Sequence, residues 1–385
     1  MTNRLKERIR KHGITLHRWS GFSSKHPLKF KTIKTHSQYY FDRFIGKLRL
    51  KMINFDLDGT ILNDEKEIHP NNLSAIETLK KKNPNIMINI VTGKGFHQAK
   101  RFADKMKVKF LITDNGGAIF ERKNGEYELL KAYTIPEKES LAISKKINEF
   151  FIENPDMICH LSTPDNFIIK EGYFEKANDV FYPNEPFGDG VIQVKNFEEI
   201  KERGLSNDII KICVDFSKSD VGKKQCDKFK KYLKDNHINY FPTTDSKFEI
   251  APEGVNKGNA ILEIVKTLKK RGILICLKEI VNVGDGINDV SMCKSVFQCF
   301  TPRNGELDEI VNKIRKIEKD SYAVVNKLKA SNNDPIIPEI ANKFETHTTP
   351  YLIAKLKEAK TYVRDSLSTK ASSNRKRERK TEREL

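Results

Sequence analysis

The chain reads as an α/β protein, a parallel-sheet core interrupted by an inserted α+β domain. Three observations carry that reading. From Leu50 onward, short apolar runs alternate with helix-length amphipathic segments, the pattern of strands joined by crossover helices. More than 140 residues separate Thr113 from Asn256, far beyond a loop, so a second domain is inserted there. A length of 385 residues also exceeds what one hydrophobic core usually sustains.

The apolar runs predict core strands at 52–55, 86–91, 110–112, 280–283 and 296–300. Helices are expected at 71–82, 96–107, 256–270 and 287–294, between or after them. The insert predicts a helix at 137–151, strands at 157–161, 166–170 and 209–216, a helix at 222–234, and short strands near Ile238 and Phe248. After residue 318 the pattern weakens. Asn332, Asn333, Asp334 and Pro335 mark a turn, residues 351–367 fit one amphipathic helix, and from Ser368 nothing remains to bury. The expected organisation is a basic extension at 1–49, a core at 50–124 and 246–318, an inserted cap at 125–245, a helical segment at 319–367, and a disordered basic tail at 368–385.

The net charge of +18 suggests nucleic acid until it is divided along the chain. Residues 1–50 hold 13 Lys/Arg against Glu7 and Asp42, and residues 364–385 hold eight against four acids, leaving +3 for everything between. The basic character lives at the ends. Trp19, Tyr39, Tyr40 and Phe41 sit among the N-terminal cations, so RNA or anionic-surface binding is a secondary reading. Six cysteines lie far apart with no Cys-x-x-Cys pair, which implies reduced thiols, no zinc site and a cytoplasmic location. The Arg/Lys-rich, acid-poor N-terminus keeps organelle targeting as an alternative. No apolar run approaches the roughly 18 residues that span a bilayer.

Each polar motif falls just past the carboxyl end of an expected strand, where open α/β sheets bind ligands. Asp56 follows the first strand, and an ionised carboxylate can attack phosphorus at neutral pH to give an acyl phosphate. Asp58, two residues on and turned by the bend at Gly59, suits general acid and base work. Several carboxylates and a phosphate dianion need a compensating cation, and magnesium fits, being hard and content with carboxylate, substrate and water oxygens. Its expected ligands are Asp56, Asp58 through its backbone carbonyl, Asp285, and Asp289 directly or through water. Thr92, the amide of Gly93 and the ammonium of Lys257 would donate to the transferring phosphoryl group.

Taken singly these are weak signals, since Asp-x-Asp-Gly-Thr is often a plain turn and Asp285 and Asp289 could be an N-cap and a first-turn acid. Their order and common position make the site. Asn54-Phe55-Asp56-Leu57-Asp58-Gly59-Thr60, Thr92-Gly93-Lys94, Asn115-Gly116-Gly117-Ala118, Gly254-Val255-Asn256-Lys257-Gly258 and Gly284-Asp285-Gly286-Ile287-Asn288-Asp289 resemble the Cof-type branch of the haloacid dehalogenase-like (HAD) hydrolases. The resemblance covers about residues 50–315. It implies a Rossmann-like core, an inserted α+β cap of the C2 type, an aspartyl-phosphate intermediate and magnesium, and it adds Asn288 as a residue that contacts phosphate or orients the metal shell. Lys94 stands where that family usually has Arg. The expected activity is phosphomonoester hydrolysis on small organic phosphates such as sugar phosphates or phosphorylated cofactors, with phosphoryl transfer to a sugar hydroxyl, a phosphomutase, as the alternative. In the cap, His160, Asp165, Asn166, Lys211 and Asp215 are polar residues near strand ends, none assigned to specificity.

Overall fold

Four consecutive residues with no exposed surface form β1 (Met52–Phe55), which is flanked on both sides by parallel strands and is therefore buried on both faces. The computed structural model describes residues 50–182, 188–217, 219–294, 296, 298–317 and 323–346. The expected N-terminal extension, the helix at 351–367 and the basic tail lie outside them.

The core continues through α1 (Pro70–Lys82), β2 (Met87–Val91), α2 (Phe96–Met106) and β3 (Phe110–Thr113). Proline opens α1 where no amide donor is needed, and the His69 imidazole accepts from the Asn71 amide as its cap. A hairpin of β4 (Ala118–Lys123) and β5 (Glu126–Ala132) follows, turned at Asn124 and Gly125, both with positive φ. That two-residue turn matches the twist of the strands it joins.

The insert comprises α3 (Glu137–Glu153), β6 (Ile158–Ser162), β7 (Phe167–Lys170), α4 (Phe174–Phe181), β8 (Val191–Val194), α5 (Glu199–Glu202), β9 (Lys211–Asp215), α6 (Asp220–Asp235), β10 (Tyr240–Pro242) and β11 (Lys247–Ile250). The core resumes with α7 (Lys257–Lys270), β12 (Ile280–Val283), α8 (Val290–Lys294), β13 (Gln298–Thr301), α9 (Leu307–Ile317), β14 (Val324–Lys327) and α10 (Ile336–Thr346).

The core sheet runs β14-β13-β12-β1-β2-β3-β4-β5, parallel from β14 to β3 and antiparallel beyond. The insert's own sheet runs β10-β11-β9-β6-β7-β8. Its alternating strands send Cys159, Leu161, Ile212 and Val214 into a core with α3 and α6, where Phe150, Phe216 and Phe229 pack edge-on or tilted. The fold is thus the expected mixed α/β core with an inserted cap.

Sheet membership places the seams differently from the sequence expectation. The Asn124–Gly125 hairpin keeps residues 126–132 on the core sheet, although they were expected in the cap. Conversely, β11 pairs with β9 and stays with the cap, so the core resumes after Ile250 and not at 246. The segment expected to be helical after 318 contributes a strand, β14, to the core edge before helix α10.

One asparagine lies in the middle of each of three central strands. Asn54 donates to Asn282 Oδ1 at 2.7 Å, Asn89 donates to Asn54 Oδ1 at 2.8 Å, and the ends are closed by the Met292 carbonyl and the Phe110 amide. The parallel register places Asn282, Asn54 and Asn89 side by side. A fully paired amide ladder therefore crosses the sheet just beneath the functional end.

Candidate active site

The Asp56 amide donates to Val283 O at 3.0 Å, a last rung that fixes the end of β1 beside the end of β12. The Thr92 amide donates likewise to Ile112 O at 2.9 Å. Asp56, Thr92 and Asp285 therefore emerge at one edge of one sheet, because parallel strands all point their carboxyl ends the same way. After Asp56 the chain bends through Gly59, whose φ of +64° only glycine adopts freely. A side chain there would also collide with the Asp285 carboxylate.

Lys257 reaches the same edge from the first turn of α7, whose cap is the Asn256 side chain accepting from the Asn259 amide. Its ammonium has no exposed surface and donates to Asp56 Oδ1 at 2.7 Å and to Asp289 Oδ1 at 2.8 Å. The other Asp289 oxygen accepts from the amides of Asp285 and Gly286, at 2.9 and 3.2 Å. Asp285 Oδ1 accepts from the Thr60 hydroxyl at 3.1 Å. Oxygens of Asp56, Asp285 and Asp289 all lie within 4.8 Å of one another.

Three carboxylates around one ammonium leave an excess of negative charge in a buried place. Burial, and then the neighbouring Asp289, push the Asp56 carboxyl well above the usual carboxylate range, against the pull of Lys257. The same two causes push Asp285 up to about 6. Burial opposes charge on Lys257, yet Asp289 and Asp56 outweigh it and hold the ammonium above its ordinary value. The donor set, hard oxygens with uncompensated charge, fits a divalent cation such as magnesium.

The other expected residues are placed as follows. Asp58 is not part of the carboxylate cluster through its side chain, whose two oxygens pair with Lys66 at 2.8 Å and Lys94 at 2.9 Å. Burial raises its carboxyl, but the Lys94 charge and both lysine contacts outweigh it and bring it below the usual range. A metal ligand at this position rests on its backbone carbonyl alone. Thr92 is buried, and its hydroxyl accepts from the Lys94 amide at 3.2 Å. Gly93 packs against the Asn115 side chain. Asn288 is exposed, in the turn between Asp285 and Asp289.

Sequence reasoning missed several residues. Thr60 was quoted only within the motif, and nothing in spacing marked it as the Asp285 partner. Lys66 sits at the tip of a short two-stranded turn that pairs Leu62 with Ile68, and only folding brings it to Asp58. Lys211 in the cap, noted in the sequence only as a polar residue near a strand end, forms an ion pair with Asp114 at 2.8 Å, both side chains almost fully buried. Burial, and then the Lys211 charge, push the neighbouring His160 imidazole well below its ordinary value.

A sheet ending in a carboxylate cluster with one buried ammonium, under an inserted cap, defines a hydrolase of the phosphoryl-transferring α/β type. The chain belongs to the haloacid dehalogenase-like hydrolase family, whose model matches residues 53–306, and within it to the Cof-type branch. Among relatives, it is 24% identical over 292 residues to the 5-amino-6-(5-phospho-D-ribitylamino)uracil phosphatase YwtE of Bacillus subtilis, covering 71% of this chain and 94% of that one. Among solved structures, a haloacid dehalogenase-like hydrolase from Bacteroides thetaiotaomicron superposes with a TM-score of 0.56 at 19% identity, over 76% of this chain and 98% of that one. The subclass IIB sugar phosphatase BT4131 does so with a TM-score of 0.54 at 20% identity, over 76% and 98%. These likenesses establish the shared fold. Among the described residues, no helix is long and apolar enough to cross a membrane.

Proposed function

We propose that the protein is a magnesium-dependent phosphatase that hydrolyses phosphomonoesters of small organic molecules through an aspartyl-phosphate intermediate. The observation that carries this reading is the convergence of Asp56, Asp285, Asp289 and Lys257, drawn from three separate parts of the chain, on one buried point. A relative named for a phosphorylated ribitylaminouracil and a fold neighbour named as a sugar phosphatase support a small phosphorylated metabolite as substrate. The basic ends lie outside the described residues and supply no support for a nucleic-acid partner. The six cysteines are free thiols, which suits a reducing, cytoplasmic setting.

Asp56 attacks phosphorus, forming the acyl phosphate and breaking the bond from phosphorus to the leaving oxygen. Asp58 gives that oxygen a proton and then takes one from the water that cleaves the acyl phosphate. Lys257 neutralises charge on Asp56 and on the phosphoryl group, and Thr92 and the Gly93 amide donate to the phosphoryl oxygens. Asp56, Asp285 and Asp289 would hold a divalent cation, which would supply charge neutralisation for the phosphate. The cap excludes water and contacts the leaving group.

The test is Asp56→Asn assayed with p-nitrophenyl phosphate and magnesium. Turnover is expected to vanish. Wild-type turnover in that variant would remove the assigned nucleophile, and with it the reading.

A further inference from the structure

Three successive carbonyls of the loop that follows β2 are each held by a separate donor. The Asn115 amide donates to Thr92 O at 3.0 Å, the Asp114 amide donates to Lys94 O at 3.0 Å, and between them Lys211 Nζ donates to Gly93 O at 3.1 Å. The first two anchors come from the core, from the turn after β3. The third comes from β9 of the cap. It is a side chain that the core cannot supply by itself.

The turn that gives the two core anchors is strained. Asp114 and Asn115 both adopt left-handed conformations, at φ +50° and +55°, without being glycine. Such geometry costs energy and persists where surrounding structure requires it. Here it also aims both side chains across the seam: Asp114 Oδ1 lies 2.8 Å from Lys211 Nζ, and the Asn115 amide nitrogen donates to Glu249 Oε2 on β11 at 3.2 Å. The Asp114–Lys211 pair has 1% and 2% of its side-chain surface exposed. A buried ion pair adds little net stability, because desolvation offsets most of the attraction, so position is the better account of it.

The consequence for chemistry follows from the planarity of the peptide. In a trans peptide the carbonyl and the next amide point in opposite directions, so fixing Gly93 O fixes the Lys94 N–H. That N–H donates to Thr92 Oγ1 at 3.2 Å. A hydroxyl that accepts from an amide has its single proton left to give, and here it is directed away from the Lys94 amide. Lys211 thereby orients the Thr92 hydroxyl through one peptide group.

We propose that Lys211 is a positioning residue of the reaction, and that closing the cap completes the phosphoryl-binding loop Thr92-Gly93-Lys94 by anchoring Gly93 O. This rests on the phosphatase reading of the same site. With the cap away, Gly93 O loses its anchor, and the Thr92 hydroxyl loses its fixed direction. Reaction is then coupled to closure, which ties phosphoryl transfer to the water-excluded state.

The experiment uses the full chain, magnesium, and orthovanadate as the probe for a phosphoryl-like oxyanion. Lys211→Met is compared with wild type for the magnesium-induced rise in Tm, and for vanadate inhibition of p-nitrophenyl phosphate turnover. The magnesium response is expected to stay, since Asp56, Asp285 and Asp289 are untouched, while vanadate affinity falls by about tenfold or more. kcat falls with it and KM changes less. Lys211→Arg, which keeps a donor, is expected to recover much of the loss. Should Lys211→Met fail to fold, Asp114→Asn removes only the partner charge and keeps both main-chain anchors, and a smaller loss of vanadate affinity is expected. Vanadate affinity equal to wild type in a folded Lys211→Met or Asp114→Asn protein overturns the proposal alone. Absence of vanadate binding in the wild type with magnesium overturns the phosphatase reading itself.

Discussion

Lys257 Nζ stands 2.7 Å from Asp56 Oδ1, across 201 residues of sequence, with neither side chain more than 6% exposed. This ammonium is the described site's internal counter-ion to two carboxylates, so the proposed chemical role of Lys257 comes with a structural one. Lys257→Met would leave Asp56 and Asp289 buried without it. The expected result is a loss of about 3–5 kcal/mol in stability by urea titration, as for one partner removed from a buried pair. Residual folded protein is expected to lose about 100-fold or more in kcat. A variant that melts and turns over like wild type would show the pair to be incidental.

A cation bound at this cluster would compete with protons for the same oxygens. The Asp285 carboxyl is raised to about 6 in the fold from an ordinary value of 3.8. A raised acid costs the fold nothing below its unfolded value and costs it progressively as pH rises from about 4 through 6. The raised Asp56 carboxyl acts in the same sense. Metal-free protein is therefore expected to lose stability from these groups between pH 4 and pH 7, and magnesium to restore it. Tm measured with EDTA and with magnesium at pH 5 and pH 7 checks this. The magnesium increment should be larger at pH 7, and an increment that shrinks toward pH 7 contradicts the cluster as a cation site.

The amide ladder beneath the site carries a stability prediction. Asn54 is both donor to Asn282 and acceptor from Asn89. Asn54→Leu orphans two buried polar atoms, each costing about 1–3 kcal/mol. Urea unfolding is expected to show a stability lower by about 2–6 kcal/mol, read as a lower midpoint with an unchanged slope. A neutral effect would mean that neighbouring amides find other partners.

How much of this was legible beforehand differs by element. The central core strands were legible to within a residue or two, because a parallel sheet buries each strand on both faces and so gives mainly apolar runs, such as 52–55 and 280–283, each broken by a single Asn. The Asn124–Gly125 hairpin was missed although its two turn residues mark it, because the largely polar β5 gave no apolar run to announce a strand. In the cap, α4, β8 and α5 are too short for a pattern to stand out, although Phe174, Ala177, Val180 and Phe181 give α4 one apolar face. The convergence of Asp56, Asp285, Asp289 and Lys257 was anticipated because their motifs sit at strand and helix ends. The partners of Asp58 and Asp114 were not, since Lys66, Lys94 and Lys211 are three among many lysines and only the fold selects them. The asparagine ladder did leave a signal, one Asn inside each of three apolar runs, and register alone turns that signal into contacts.

Asp58, proposed as both acid and base, allows the two roles to be tested separately. Lys94 and Lys66 hold its carboxyl below the usual range, which favours the charged base and disfavours the acid. An alkyl leaving group needs the acid's proton, whereas nitrophenolate departs without one. Asp58→Asn is therefore expected to block the first step for an alkyl phosphate, while an aryl phosphate still phosphorylates Asp56. Its second step, now without a base, slows by about 100-fold or more. Rapid-mixing measurement with p-nitrophenyl phosphate should show a burst of nitrophenolate near one equivalent of enzyme, followed by slow turnover, and no burst of alcohol from an alkyl phosphate. The magnesium-induced rise in Tm should persist in Asp58→Asn and disappear in Asp285→Asn, because only the second carboxylate belongs to the cluster. Loss of the magnesium response in Asp58→Asn, or equal slowing of both substrates without a burst, would transfer Asp58 from proton transfer to metal binding.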